Sequence, residues 1–239
     1  MQTTIFKKRP DTGRVYLREA LIVAFFFPPP IAEAAEGLGR VLDLYVAAIP
    51  PGSLTWSSIG ASSEEWKPVG RTTIQRCRDQ LKREAAAKRK LTSFELTDGQ
   101  VGGDARGYGI AVLGSPGGDQ DLPDELCLVQ MEFPMETLDA TTADKFVDLC
   151  KQIAGLVPYV SGYASAGLQW AELHRSEAAA ESRGLAMRHP GYDVEMNDSA
   201  CLRLGRRVRG ARWLTFLGDE LVAAVDGRVD EDEDVDAEA

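Results

Sequence analysis

The chain has 239 residues, of which 44% are apolar and 27% are charged. These proportions are typical of a folded globular protein and are sufficient for one sizeable core. The longest apolar run, residues 20–27, is too short to cross a bilayer and ends in prolines, which excludes an integral membrane protein. The four cysteines lie far apart without a CxxC pair, and the first residues lack a signal peptide. We therefore expect a protein of the reducing cytoplasm with no zinc site or disulfide framework.

The net charge of −10 is concentrated at the C-terminal end of the sequence. Residues 226–239 carry eight acidic residues and one arginine, a formal charge of −7, which leaves −3 for residues 1–225. Like charges with almost no apolar side chains cannot pack, so we expect residues 228–239 to form a disordered acidic tail. The tail either keeps the protein soluble or steers a basic partner toward it, and the candidate steering residues are Asp230, Glu231, Asp232, Glu233 and Asp234.

Two clusters of basic residues carry the opposite charge to this acidic tail. The first cluster, within residues 82–90, closes a predicted helix, and cations stabilise the C-terminal end of a helix. The second cluster contains Arg203, Arg206, Arg207, Arg209 and Arg212 in a predicted loop. Because the chain is acidic and has no RNP, helix-turn-helix or zinc-finger pattern, we expect no direct binding of nucleic acid.

The first predicted elements alternate between strands and helices. Residues 17–27 are apolar enough for a strand buried on both faces, and three prolines stop it. Apolar residues at three- and four-residue steps predict a helix over residues 31–49, which Pro50, Pro51 and Gly52 end. Residues 53–60 predict a further strand. A second helix then places four residues on one face: Ile74, Cys77, Leu81 and Ala85.

Two strands at residues 93–96 and 108–113, joined by a Gly-rich loop, separate this first half from a similar second half. The second half begins near Glu125 with a strand whose Cys127, Val129, Met131 and Phe133 alternate with the intervening side chains.

Thr141 or Thr142 can cap the helix that follows. The apolar face of this helix contains Phe146, Leu149, Ile153 and Leu156. Residues 159–170 predict another strand, and residues 171–187 predict another helix.

Both halves have the order strand, proline, helix, proline, strand, helix. This order predicts an internal duplication of a βαβα unit, with half-repeats at residues 15–90 and 125–188. No long linker separates the halves, so we expect one compact α/β (α+β) domain over residues 1–227, with helices packed on a mixed or antiparallel sheet. The residues that we expect to be largely buried are Phe25, Leu42, Val129, Phe146, Ile153, Leu168, Trp213 and Phe216.

The sequence contains no assembled catalytic set. His174 and His189 have no Ser–His–Asp or Cys–His spacing around them, and the Gly-rich stretches lack the ending of a phosphate loop. Glu65-Trp66-Lys67 has the acid-x-Lys form of half a nuclease metal site, but the upstream acid, Asp11, lies in a polar segment before the first strand. We therefore expect no catalytic, metal or cofactor site. A metal-dependent nuclease that uses Glu65 and Lys67 is one alternative, and a non-enzymatic adaptor protein is another.

Three segments of the C-terminal third resemble a known family. Residues 160–168 (VSGYASAGL), 188–194 (RHPGYDV) and 210–219 (GARWLTFLGD) resemble bacterial immunity proteins that accompany type VI secretion toxins with VRR-Nuc and related restriction-endonuclease-like nuclease domains. The resemblance covers about residues 15–227, and its most specific part is the stretch from Trp213 to Asp219.

The resemblance implies an immunity-type domain over residues 1–227 without enzymatic activity. It implies a cytoplasmic antitoxin for bacterial competition, which binds a cognate nuclease toxin and occludes or locks its active site. It transfers no catalytic residue and no toxin-contact residue. An acidic protein suits this role, because a nuclease cleft is basic and an acidic partner gains association rate from charge. The oligomeric state stays open.

Overall fold

The computed structural model describes residues 5–60, 65–87, 92–101, 103–114, 122–139, 141–171, 174–189, 191–194 and 197–235. The strands are Phe6–Lys8 (β1), Val15–Phe27 (β2), Trp56–Ile59 (β3), Lys67–Pro68 (β4), Thr92–Thr97 (β5), Gly109–Gly114 (β6), Cys127–Pro134 (β7), Ser161–Trp170 (β8), Asp193–Val194 (β9) and Leu214–Leu217 (β10). The helices are Ile31–Ala48 (α1), Thr73–Ala87 (α2), Ala143–Ala154 (α3), Arg175–Arg188 (α4), Asn197–Cys201 (α5) and Asp219–Val235 (α6), with a short 3-10 helix at Met135–Thr137.

Within these residues all ten strands belong to one sheet with the order β10-β8-β2-β7-β6-β5-β3-β4. β1 pairs with β2, and β9 pairs with β8. The β8–β9 pair is parallel and the other pairs are antiparallel. The sheet is therefore mixed, as predicted, and the single α/β fold class is confirmed. β2 and β7 lie at its centre, whereas β10 and β4 end the path.

The main core lies between one face of the sheet and helices α1, α2 and α3. Alternate residues of β2 and β7 point into it, including Phe25 and Val129, and they meet Leu42 of α1, Cys77 of α2 and Ile153 of α3. The three- and four-residue spacing of apolar side chains in the helices explains why each presents one apolar face to the sheet.

The opposite face of β2 and β7 is also buried. Its apolar part contains Ile22, Phe26 and Leu128, which pack with Tyr163 of β8 and Cys201 of α5. A third cluster joins the first residues of β2 to the end of β8 and to α4. Because both faces are covered, β2 can be apolar at nearly every position, which confirms the prediction of a strand buried on both faces.

The alternating residues of β7 form the predicted strand, and the structure buries both of its faces. Cys127 to Phe133 point alternately to the main core as expected. The intervening Gln130 and Glu132 are also buried, with exposures of 2% and 0%. The alternation therefore separates two buried faces of β7, one that is apolar and one that contains polar side chains. It does not separate a buried face from a solvent-exposed face.

Thr142 takes the predicted N-cap position of α3 without the predicted cap. Its side chain makes no hydrogen bond to the first turn of the helix. The Thr142 hydroxyl instead donates to the carbonyl of Thr137 at 2.9 Å and accepts from the backbone N–H of Asp139 at 2.8 Å. These bonds close the turn before the helix, which competes with capping for the same hydroxyl.

The first strands of the two predicted halves, β2 and β7, are antiparallel neighbours, and the helices that follow them, α1 and α3, pack on the same face. The second strands are not equivalent in this way: β8 pairs directly with β2, whereas β5 and β6 separate β3 from β7. The duplication with half-repeats 15–90 and 125–188 stays a prediction.

The core prediction is confirmed for six residues and wrong for Trp213. The six buried residues are Phe25, Leu42, Val129, Phe146, Ile153 and Leu168. Phe216 is half-buried, and Trp213 is 47% exposed. Trp213 lies directly before the edge strand β10 and Phe216 lies within it. At the edge of the sheet, an aromatic ring packs against the protein on one side only.

Helix α6 extends from Asp219 through Val235 and therefore into the segment predicted to be a disordered acidic tail, residues 228–239. Residues 236–239 lie outside the described residues, and the bounds of the tail stay a prediction. The sequence from 219 to 235 contains no proline, and Gly227 weakens the helix near residue 228 without ending it.

Candidate protein-interaction surface

The three sequence segments quoted above for their resemblance to a family meet around one buried carboxylate. Asp193 of β9 is 2% exposed. It accepts a 2.5 Å hydrogen bond from the Tyr163 hydroxyl of β8 and a 2.9 Å hydrogen bond from Arg212 Nη2, just before β10. Arg209 Nη2 lies 3.4 Å from the same carboxylate and donates to the Val194 carbonyl at 2.7 Å. We call Tyr163, Asp193, Arg209 and Arg212 the Asp193 cluster.

Backbone contacts fix the same segments to one another. β10 pairs with residues 161–164 of β8, and β9 pairs with residues 167–168 on the same side. The N–H of Gly218 donates to the Val160 carbonyl at 2.8 Å. A Cβ at Gly218 would press on the carbonyl oxygens of Tyr159 and Val160, so only glycine lets the chain turn there from β10 into α6. These segments therefore build one edge of the sheet.

The second basic cluster is explained by contacts within the protein. Arg209 and Arg212 bind Asp193. Arg206 pairs with Glu220 of α6 at 3.3 Å, and Arg207 lies 3.7 Å from Asp124. Arg209 and Arg212 thus hold the segment before β10 on a buried carboxylate, whereas Arg206 and Arg207 form exposed surface ion pairs. Of the first cluster, residues 88–90 lie outside the described residues.

Trp213 stands at the start of the edge strand β10 with one face covered. Its ring stacks on Phe146 of α3, with centroids 5.9 Å apart and planes at 8°. Its other face gives it the 47% exposure. In the described part of the chain β10 pairs only with β8, so the outer edge of β10 is open. A large apolar ring beside an open strand edge is typical of a protein-interaction surface.

Helix α6 leaves this edge and loses contact with the body after its first turn. Leu221 is half-buried, and every residue from 222 to 227 is exposed. Val222 and Val225 are 41% and 52% exposed, and their spacing places them on one face of the helix. Helix α6 continues through the predicted steering residues 230–234.

The acid-x-Lys motif forms a surface ion pair. Lys67 Nζ lies 3.0 Å from Glu65 Oε1, with the two side chains 53% and 72% exposed. The pair lines a shallow cleft with Ser57, Ile59 and Arg76. Asp11 lies before β2, which four strands separate from β4, and it pairs with Arg9 at 3.0 Å. The structure therefore does not bring Asp11 and Glu65 together, and the described residues contain no group of three His, Cys, Asp or Glu side chains that could hold a metal ion.

The histidines and cysteines have structural surroundings. His174 is the N-cap residue of α4, with its ring edge-on to Tyr16 at 6.5 Å, and His189 is the C-cap residue. All four cysteines are buried, and none of them forms a disulfide bond. Burial raises the pKa of the Cys77 and Cys150 thiols to about 12, so neither is a thiolate at neutral pH.

A second buried carboxylate, Glu132 of β7, lies on the face of the sheet opposite the main core. Its Oε1 accepts from Gln130 Nε2 at 2.6 Å and from Gln169 Nε2 at 3.3 Å, with Arg106 Nη1 at 3.7 Å. Burial raises the pKa of Glu132, and the nearby Arg106 guanidinium opposes that shift. Tyr45 donates to the Glu132 carbonyl at 2.9 Å, which ties this strand to α1.

Sequence reasoning missed the Asp193 cluster and the exposure of Trp213. The two arginines of the cluster look like a basic patch, because nothing in the sequence pairs residues 163, 193, 209 and 212. The glycines, prolines and aromatic residues of the three segments predict turns and core. The ionic contacts that fix this edge of the sheet come instead from Arg209 and Arg212.

A protein-family model described as "TsiV: Type VI immunity for VRR-NUC" matches residues 38–230 of the chain. The match covers most of the sheet, β10 and helix α6 as far as residue 230. It begins after β2, but β2 lies in the centre of the same sheet and belongs to the same fold. No curated protein matches the chain.

Among solved structures, the chain is similar to the Pseudomonas aeruginosa T6SS protein PA0821, with a TM-score of 0.76 and 18% sequence identity. The similar region covers 94% of this chain and 63% of the Pseudomonas chain, so this chain spans less than two thirds of that protein's length. The likeness supports the fold. No helix in the described ranges is long and apolar enough to cross a membrane.

Proposed function

The chain belongs to the TsiV family of type VI immunity proteins for VRR-NUC, and on that premise we propose that it binds a cognate VRR-NUC nuclease toxin and inhibits it. The observation that carries the proposal is the family match over residues 38–230, which includes the three segments that meet at Asp193.

Inhibition by binding requires no catalytic group from this chain. We propose that the protein is not an enzyme and occludes the nuclease cleft or locks it in an inactive state. The cleft of a nuclease must attract phosphates and is therefore basic. A chain of net charge −10 complements it, so charge should speed the encounter and buried apolar contacts should hold the complex. We place this activity in the cytoplasm, where the nucleic acid substrate of such a toxin lies.

The test is reconstitution with a cognate VRR-NUC nuclease toxin, whose gene we expect to lie beside the gene of this protein. The purified nuclease is incubated with plasmid DNA and Mg²⁺, with increasing amounts of this protein, and cleavage is followed on gels. We expect inhibition that saturates at a fixed stoichiometry and a stable complex in size-exclusion chromatography. A nuclease that remains fully active with an excess of this protein would refute the proposal.

The same assay tests the absence of enzymatic activity. This protein alone with plasmid and Mg²⁺ should leave the DNA intact. Cleavage by the protein alone that disappears in Glu65→Ala would instead establish the nuclease alternative.

A further inference from the structure

Helix α6 is packed against the protein in its first turn, where Leu221 is half-buried and Glu220 pairs with Arg206. From residue 222 to residue 227 no side chain is buried, and a helix of this length without tertiary packing is marginal in water. The acidic run at residues 230–234 lies toward the C-terminal end of the helix, where the helix dipole favours cations. Residues 222–227 therefore lack apolar cover, and the last turn of the helix carries no basic residue that would stabilise its end.

Two exposed apolar groups flank the same open strand edge. Trp213 precedes β10, and Val222 and Val225 follow it on α6. They are three of the six large hydrophobic side chains that are exposed in the described part of the chain. The Asp193 cluster and Gly218 fix the ends of β10, so these groups are presented on a rigid edge. Rigid aromatic and aliphatic side chains are the usual anchors of a protein interface.

From these observations we propose that the β10 edge surface, formed by Trp213, the open edge of β10 and the exposed face of α6, is the surface that contacts the nuclease toxin. This inference rests on the proposed function. Trp213, Val222 and Val225 become buried in the complex, and the acidic end of α6 lies against basic residues of the toxin.

Charge selects this occupant over two others. The segment 226–239 has a formal charge of −7, so a second copy of this chain on the same surface would bring two acidic segments together. A nucleic acid would be repelled for the same reason. A protein with a phosphate-binding surface has the positive charge that the C-terminal end of α6 lacks.

The decisive experiment measures the affinity of this protein for a catalytically inactive form of its cognate VRR-NUC toxin. We expect Trp213→Ala to weaken the affinity at least about 30-fold, as for a central anchor residue. Trp213→Phe, which keeps an aromatic ring on Phe146, should weaken it less. The Val222→Ala/Val225→Ala double variant should weaken it about 5- to 30-fold. Alanine favours helix more than valine does, so this loss cannot come from melting of α6.

Met187 of α4 provides the matched control, because its side chain is 80% exposed and lies outside the proposed surface. Met187→Ala should bind within about twofold of the wild type. Hydrogen exchange provides a second readout without substitution. The amides of residues 222–235 should exchange fast in the free protein and become protected in the complex.

The outcomes separate this inference from the proposed function. If the wild type inhibits the toxin but Trp213→Ala and the double valine variant bind as tightly as the wild type, the surface is wrong and the function stands. Residues 222–235 that stay unprotected in the complex would also refute the surface. If the wild type does not bind the toxin, both the function and the surface are refuted.

Discussion

The centre of the sheet and its β10 edge differ in how their side chains are stabilised. In the centre, β2 is covered on both faces, and its contacts with α1 and α3 are apolar. At the edge, the chain is held by an ionic cluster around Asp193, and the large side chains beyond it, Trp213, Val222 and Val225, are 41–52% exposed. The centre thus provides stability that does not depend on a partner, whereas the edge is held in place but left incompletely covered. This difference is expected of a protein that folds alone and then binds another protein.

The largest effect should come from cavities in the centre. Leu42→Ala and Ile153→Ala each remove a fully buried side chain from the main core. Each should lower the free energy of unfolding by about 2–5 kcal/mol, because the transfer free energy is lost and a cavity remains. Urea denaturation followed by circular dichroism measures this. Losses near zero at both sites would mean that the centre does not supply the stability of the fold.

Asp193→Asn tests whether the edge is held by charge. The substitution keeps the shape but leaves Arg209 and Arg212, whose side chains are 15% and 19% exposed, without their carboxylate. We expect a loss of about 2–3 kcal/mol, less than for a fully buried ion pair because the arginines retain some solvent. The control Asp124→Asn removes an exposed partner of Arg207 and should cost less than about 0.5 kcal/mol. Equal losses at the two positions would contradict a special role for the Asp193 cluster.

Substitutions at two glycines of α1 test how closely this helix packs against the end of α3. A Cβ at Gly37 would clash with the Leu156 carbonyl oxygen after α3, whereas a Cβ at Gly39 would meet nothing. Gly37→Ala should therefore destabilise the protein by about 1–3 kcal/mol through overpacking. Gly39→Ala should stabilise it by about 0.5–1 kcal/mol through helix propensity. Thermal denaturation of both variants gives the two signs, and stabilisation by Gly37→Ala would mean that α1 and α3 are farther apart than in the structure.

Glu132 tests the polar side of the centre through pH. Burial raises the pKa of Glu132 above its ordinary value of 4.5, so the folded protein holds this proton more tightly than the unfolded chain does. The contribution of Glu132 to stability is fully present below about pH 4.5 and is lost as the pH rises through the raised pKa. Glu132→Gln has no such proton to lose.

The measurement is the difference in unfolding free energy between Glu132→Gln and the wild type at several pH values from 4 to 8. We expect this difference to move in favour of the variant as the pH rises. The attraction of Arg106 exists only for the ionised carboxylate and opposes the effect of burial, so the slope reports the net shift of the Glu132 pKa. Parallel pH profiles would show that Glu132 does not titrate differently in the folded state.

The elements of the centre could be predicted from the sequence because their patterns are local. The apolar run of β2, the periodic faces of α1 and α3, and the buried Phe25, Val129 and Ile153 follow from spacing alone. The edge could not be predicted in the same way, since Asp193 meets Tyr163 and Arg212 only through the tertiary fold. Trp213 looks like a core residue in sequence, but in the described part of the chain it lies beside β10, the last strand at that edge of the sheet. The charge pattern of residues 228–235 predicts disorder, whereas helix α6 continues through them in the structure.

The smallest effect on the isolated protein should come from the acidic end of α6. Replacement of Asp230, Glu231, Asp232, Glu233 and Asp234 with their amides keeps the length of the chain and removes five negative charges. The free energy of unfolding should change by less than about 0.5 kcal/mol, because these residues lie beyond the packed part of the helix. The association rate with the toxin should fall at low salt and approach that of the wild type at high salt, while the dissociation rate stays unchanged. Stopped-flow and surface-based kinetics at several salt concentrations separate the two rates.

Deletion of residues 228–239 should give the same pattern if the acids only steer the encounter. A strongly faster dissociation in either variant would instead place these carboxylates in the bound interface, since only groups that remain in contact after docking can slow the escape of the toxin.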